Sequence, residues 1–370
     1  MKRLLWLSLL TAPLAHADSV LFAGTGKAPQ HTYRIPTLVT TTKGSLIAFA
    51  ELRKNSMADL GDIDTVIKRS TDGGKTWSAE MVIQDMGNDT IGNACPIVDP
   101  KTGRILVFTA WARLPESKVS PGFGEDSRRV FLAHSDDDGL TWSAPEDITR
   151  QVKAPTWSWF VPGPASGIVI QHGPHRGRMV MSANHRETAG DAPGYYAHAM
   201  VSDDSGKTWK SSRSFAARHT NECEIVELEN GDLMLNMRNH GSPKRERAIA
   251  ISKDGGETWG ATTWDPALPE SQCMGSIQRR SWPQGNKPGS IFFINPASNR
   301  GRENLTLRAS LDDGKTWPLS RLIKAGDAAY SHLAVLKDGS IAVAYETDAY
   351  RSIRFVTVAP DSLGKVPANP

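Results

Sequence analysis

Along most of the chain, apolar and polar residues alternate over runs of about five to six residues, and helical periodicity is scarce; this pattern predicts short, half-buried β-strands. Six of the runs begin alike. A turn glycine leads into an apolar segment at Gly44 (GSLIAFAE), Gly103 (GRILVFTAW), Gly177 (GRMVMSAN), Gly231 (GDLMLNMR), Gly289 (GSIFFINP) and Gly339 (GSIAVAYE). A second repeat is interleaved with the first: STDGGKTW at 70, SDDDGLTW at 135, SDDSGKTW at 202, SKDGGETW at 252 and SLDDGKTW at 310. Its form is Ser-x-Asp-x-Gly-x-Thr-Trp. The aspartate can accept bonds from the backbone N–H groups of its own turn, the glycine supplies φ > 0, and the tryptophan brings a large apolar ring. Five copies, each with a tryptophan, point to packing rather than to five metal or catalytic sites. Each of the first five glycine runs is followed by one octet, and the sixth is not. Six units of four antiparallel strands predict an all-β fold, a six-bladed β-propeller whose terminal strands share one blade.

The repeat assigns unusual residues to one rim. With the glycine turn at the lower end of each unit's second hairpin, residues about seven to ten places either side reach the upper end, since strands advance ~3.3 Å per residue. On the descending side these are Arg34, Asn93, Glu222 and Tyr330; on the climbing side they are Glu51, Arg53, Trp111, His185, Arg238 and Glu346. Asp59 and Arg302 fall in upper loops. Each residue alone reads as a surface or pairing group, but their shared phase gathers arginines, carboxylates and a tyrosine at one axial mouth, the natural ligand site of such a ring. Some choices stay open. Asp62 and Asp64 share the loop of Asp59, and Arg300 and Arg308 flank Arg302. Glu222 and Glu224 are read as facing opposite sides of their strand, and phase does not choose between them.

At 39% hydrophobic and 22% charged residues the chain can bury a core, and its composition is not that of a disordered segment. A formal charge of +3 from 43 basic and 40 acidic residues, with no long basic run, leaves no electrostatic footprint for nucleic acid. Cys95, Cys223 and Cys273 lack the spacing of a disulfide framework or zinc site, and His172, His175, His185 and His198 make no convincing metal set. Neither metal nor cofactor is expected. Met1–Ala17 has a basic start (Lys2, Arg3), an apolar run from Leu4 to Leu10 and the ending Ala15-His16-Ala17, which predicts a secretory signal peptide cut after Ala17. No later run approaches ~20 apolar residues, so no membrane span is expected. Residues 18–370 are expected to form one propeller domain, secreted or periplasmic, with no carbohydrate-binding module after Ile353–Val358.

The segment Tyr33-Arg34-Ile35-Pro36 followed by several octets resembles the exo-α-sialidase (neuraminidase) family. The likeness runs through YRIP, ELRKNSMADLGDID, NECEIVELENGDLMLNMR, RENLTLRASLDDGKTW, AAYSHLAVLKDG and VAYE, over nearly the whole chain after the leader. It implies a six-bladed catalytic propeller that removes terminal α-linked sialic acids from glycoproteins, glycolipids and oligosaccharides with retention of configuration. It assigns Arg34, Arg238 and Arg302 to a carboxylate-binding triad and Arg53 to a further arginine near the substrate. Asp59 becomes the loop acid, Tyr330 the nucleophile, Glu222 its partner carboxylate, and Glu346 the acid that holds the first arginine. These types suit the substrate. Planar guanidinium forks hold a carboxylate better than lysine does, and a neutral phenol approaches an anionic sugar without repulsion. Sialidases with a tyrosine nucleophile depart in this way from the two-carboxylate rule of glycosidases. A phenol titrating near pH ~10 needs a base beside it. The competing expectation is a sialic-acid-binding, lectin-like propeller without turnover, which would keep the arginines but lose the tyrosine, its base or the loop acid.

Overall fold

The computed structural model describes residues 18–25, 31–187 and 194–366, so the leader expected over Met1–Ala17 lies outside the described residues. Antiparallel meanders follow one another along the chain. The strands Thr220–Glu227, Leu233–Asn239, Glu246–Ser252 and Thr263–Pro269, for example, lie side by side in sequence order. Second strands such as Leu46–Arg53 and Ile105–Ala112 are buried at every position, because apolar packing covers both faces: they cover one face of each other, and other sheets cover the opposite faces. Among the described residues the only helical pieces are one four-residue α-helix and two three-residue 3-10 turns, none long and apolar enough to cross a membrane.

Hydrogen bonding gives four separate sheets of four or five strands and a fifth sheet of eight. This corrects the expectation of six separate four-stranded sheets. The eight-stranded sheet is continuous because Ile63 pairs in parallel with Thr90, linking the strands Ile63–Ser70 and Thr90–Val98. It nevertheless folds back on itself: Val39, Ile47, Phe49 and Ile67 of its first half pack on Ala94, Ile105, Val107 and Ala133 of its second. Similar apolar seams separate consecutive sheets, as where Leu106 and Phe108 meet Met179 and Met181. The last seam returns to the start, with Ala342 and Phe355 against Phe22, Leu38 and Ala48. The result is an all-β, propeller-like ring. Its two ends share a sheet, since Ser19–Ala23 pairs antiparallel with Ser352–Val358. Asp18 adds to this closure by accepting bonds from the Tyr345 hydroxyl and Arg354 Nε, both at 2.9 Å.

The octets are built as their composition predicts. The glycines at the fifth place have φ between +78° and +91°. Asp72 accepts from the backbone N–H and the hydroxyl of Thr76 at 3.0 and 2.6 Å, and Asp254 does the same with Thr258 at 2.8 and 2.6 Å. The tryptophans pack into the seams, Trp209 edge-on to Phe108 with ring centroids 4.7 Å apart. Five of the six repeat-opening glycines are left-handed, with φ between +79° and +93°. Gly289 is not. There a Cβ would lie 2.9 Å from the Ser281 carbonyl oxygen, so close approach, rather than a left-handed turn, accounts for the glycine.

Bonds from the threonine partner hold Asp72 and Asp137 down to about 2. Because an unfolded aspartate titrates near ~3.9, these bonds stabilise the fold above that pH and are lost as pH falls through the folded value. Replacing both aspartates by alanine is therefore expected to lower the urea midpoint at pH 6, with the gap to wild type shrinking between pH 4 and pH 2. A gap that does not change with pH would show that the carboxylate charge is not the source.

Candidate active site

The site begins with a distortion. In the strand Thr32–Thr40 the register shifts between Arg34 and Thr37, and Ile35 takes φ +56°, a conformation that β-branched residues rarely adopt. A fully buried carboxylate holds it there: Glu346 Oε1 accepts Ile35 N at 2.8 Å and Arg34 Nε at 2.7 Å, while Oε2 accepts Tyr330 N at 3.2 Å. The same device recurs one meander on. Asn93 has φ +54° and donates its N–H to Glu51 Oε1 at 2.9 Å, and Glu51 Oε2 accepts Arg53 Nε and Nη2 at 2.9 and 2.7 Å. Gly92 leaves the room, since a Cβ there would lie 2.3 Å from Glu51 Oε1.

At the centre, the Tyr330 hydroxyl donates a short hydrogen bond to Glu222 Oε1. Arg238 Nη1 donates to Glu222 Oε2 at 2.7 Å and to the phenol oxygen at 3.1 Å, and its Nη2 contacts His240 Nδ1 at 3.1 Å. Arg34 and Arg302 place their guanidinium carbons 5.4 and 5.2 Å from the centroid of the same phenol ring. All three arginines of the expected triad thus converge on one tyrosine. Burial, and then the charge of Glu222, push the Tyr330 hydroxyl well above its ordinary value, so the phenol keeps its proton. Burial also raises Glu222, but Arg238 and the hydrogen bond from Tyr330 outweigh it and leave the carboxylate below its usual range. A protonated phenol bonded to an ionised carboxylate is an acid paired with its base.

Asp59 stands at the mouth, its side chain 87% exposed and bonded to Arg53 Nη1 at 2.6 Å. Partial desolvation pushes its pKa up, while Arg53, then Arg34 and Arg302, pull it below the ordinary value. Arg34, Arg53, Asp59, Glu222, Arg238, Arg302 and Tyr330, which come from four of the five sheets or the turns beside them, line one cavity of about 530 Å³. Glu346 lies beneath it.

The open choices resolve by contact. Asp62 and Asp64 are held by Lys54 Nζ at 2.9 and 2.7 Å, away from the cavity. Arg300 is exposed and Arg308 reaches Asn295 Oδ1 at 3.4 Å, whereas Arg302 lines the wall. The reading that Glu222 and Glu224 face opposite sides is wrong, because residues two apart on a strand share a face. Glu224 lies deeper, fully buried, accepting from Ser166 Oγ at 2.9 Å and Ile277 N at 2.7 Å, with His332 Nε2 at 3.1 Å. Besides Glu346, two residues picked by phase do not line the cavity. Trp111 packs between the guanidinium groups of Arg113 and Arg129, and His185 stacks on Trp157 with centroids 3.7 Å apart. Burial pushes His185 down to about 2, so its ring is neutral.

A BNR repeat-like domain matches residues 28–343. The chain is 37% identical to a sialidase of Bacteroides fragilis over 337 residues, 85% of this chain and 60% of that protein. It is 30% identical to an exo-alpha-sialidase of Aspergillus fumigatus over 348 residues, 86% of this chain and 80% of the relative. The chain belongs to the sialidase family. Among solved structures, the Hadza microbial sialidase Hz136 superposes with a TM-score of 0.81 at 33% identity, over 90% of this chain and 66% of that one.

In this sialidase-family chain the cavity also contains residues that the repeat phase misses. His240 follows Arg238 by two positions, a spacing that could have suggested it. Trp159 belongs to an aromatic cluster visible in the sequence. Arg128 has no such signal. It is buried, its guanidinium lies 4.4 Å from the Trp159 ring centroid, and burial lowers its pKa to about 10. Among the described residues neither Arg128 nor Arg302 has an ion-pair partner, whereas Arg34, Arg53 and Arg238 do.

Removing the charge of Glu346 strands Arg34 and loosens the backbone of Ile35 and Tyr330 together. Glu346→Gln is expected to cost about 3 kcal/mol, the lower end for breaking a buried pair, measured by chemical unfolding. A loss below about 1 kcal/mol would mean that Arg34 finds another partner.

Proposed function

We propose that the chain is a retaining exo-α-sialidase that releases terminal sialic acids from glycoproteins, glycolipids and oligosaccharides. The observation that carries this reading is the Tyr330 hydroxyl, bonded to Glu222 and ringed by Arg34, Arg238 and Arg302. The three guanidinium groups take the carboxylate on the anomeric carbon and bring that carbon over the phenol. Glu222 accepts the phenolic proton as the oxygen attacks. Protonated Asp59 donates to the departing glycosidic oxygen, and the aglycone leaves a tyrosyl-sialoside. Asp59, now ionised, takes a proton from water, whose oxygen displaces the phenolate; Tyr330 recovers its proton from Glu222. Two displacements at one carbon retain configuration. The substrate assists its own acid, because its carboxylate offsets Arg34 and Arg302, two of the charges that hold Asp59 ionised.

The eight-stranded sheet is read as two blades that share one parallel bridge, which makes six blades in all; its folded-back halves and the glycine repeat in each half support that count. The leader supports a secreted or periplasmic site of action with Ala17 as the last residue removed. A lectin-like protein is the weaker reading, since Tyr330, Glu222 and Asp59 are present in bonded arrangement.

Turnover of a fluorogenic α-sialoside is expected for the wild type and is expected to fall roughly a thousandfold or more in Tyr330→Phe. Equal rates would remove the phenol from the reaction, and binding without turnover by the wild type would favour the lectin. Proton NMR should detect the α-anomer as first product.

The pH profile tests Asp59. Its acid form is needed for departure of the aglycone and is populated below its pKa, which Arg53 holds down. Arg53→Gln is expected to move the alkaline limb of kcat/KM to higher pH while lowering its maximum. A limb that stays in place would assign it to another group.

A further inference from the structure

We infer that Tyr350 is a positioning residue that sets two of the three carboxylate-binding arginines, an inference that rests on the sialidase reading of the cavity. After the strand Ile341–Thr347 the chain passes through Asp348, Ala349 and Tyr350 at φ +57°, +52° and +64° before entering Ser352–Val358. Three consecutive L-residues rarely share the left-handed region. Here neighbouring bonds hold them: Asp327 Oδ2 accepts Ala349 N at 2.7 Å, the Asp327 carbonyl accepts Thr347 Oγ1 at 2.7 Å, and Asp348 Oδ2 accepts Ser352 Oγ at 2.6 Å.

This turn delivers one side chain to two cations. The Tyr350 ring centroid lies 4.2 Å from the Arg34 guanidinium carbon, and its hydroxyl accepts a bond from Arg302 Nη1 at 3.3 Å. Glycines would make such a turn with less strain, but without the ring. Tyr350 does not line the cavity, so it acts through the arginines. Its chemistry fits the task. Arg34 and Arg302 both approach Tyr330 and repel each other. The face of an aromatic ring and a phenolic oxygen each offer electron density to a cation. Unlike a second carboxylate, they leave the positive charge available to the substrate's anion.

The test is a double-mutant cycle, with Tyr350→Phe placed in the wild type and in Arg302→Ala. KM and kcat for an α-sialoside, calorimetric Kd for free sialic acid and the thermal midpoint are measured for each. Tyr350→Phe keeps the ring and loses the bond to Arg302, so KM and Kd are expected to rise about threefold to tenfold with kcat within about twofold. That rise should vanish in Arg302→Ala. Tyr350→Leu, which also loses contact with Arg34, should weaken binding further; if it does not fold, the phenylalanine cycle stands alone. Unchanged KM and Kd in Tyr350→Phe, or an equal loss in both backgrounds, overturns the inference while leaving the sialidase reading intact. A wild type that neither turns over the sialoside nor binds sialic acid overturns that reading and this inference with it.

Discussion

A single carboxylate with three donors organises this molecule. Glu346 is out of reach of solvent, and a buried charge is tolerable only when its hydrogen-bonding capacity is met. Arg34, the backbone of Ile35 and the backbone of Tyr330 meet it, so one group fixes a cation, a strained bulge and the start of the strand behind the phenol. It lies where the last sheet returns to the first. Closing the ring and assembling the cavity are therefore one event. Glu51 repeats the arrangement with Asn93 and Arg53, which marks it as a property of the seam between units.

The charges around the phenol follow a consistent logic. Arg238 is balanced by Glu222, and Arg34 by Glu346, but among the described residues Arg302 meets no carboxylate and bonds instead to the Tyr350 hydroxyl and the Gln272 carbonyl. The cavity thus retains positive charge at the triad, which suits an anionic ligand more than a neutral sugar. The pair at the centre divides its labour by environment. Burial keeps Tyr330 neutral, while the nearby guanidinium groups keep Glu222 ionised despite its burial. At the rim Asp59 remains open to water while bonded to Arg53.

Much of this was legible in the sequence because repeats convert position along the chain into height within the ring. The octets and glycine turns have local causes, and local chemistry is what a sequence displays most directly. Six of the eight expected site residues stand at a common phase, with Asp59 and Arg302 in the adjoining upper loops; seven of the eight reach the cavity wall and Glu346 lies just below. Phase fixes height but not side-chain direction or sheet continuity. Trp111 and His185 share the height and turn into packing instead. One parallel bridge between Ile63 and Thr90 merges two meanders, and nothing in the local pattern announces it. Gly289 looks like a left-handed turn in sequence, yet it is there for lack of space. Arg128 and Tyr350 sit off the register of the repeat, so only the folded chain brings them to the arginine cluster.

The contact between Arg34 and Glu346 spans 312 positions, and the first strand pairs with nearly the last. Such distant partners contribute little to early folding, because the entropy of bringing them together must be overcome first. During synthesis Arg34 leaves the ribosome long before the carboxylate that holds it. Its guanidinium and the Ile35 bulge have no buried anchor during that interval. A growing chain consequently cannot assemble this cavity until Glu346 has emerged, and any nascent fragment ending before it would lack the buried anchor of Arg34 and the Ile35 bulge.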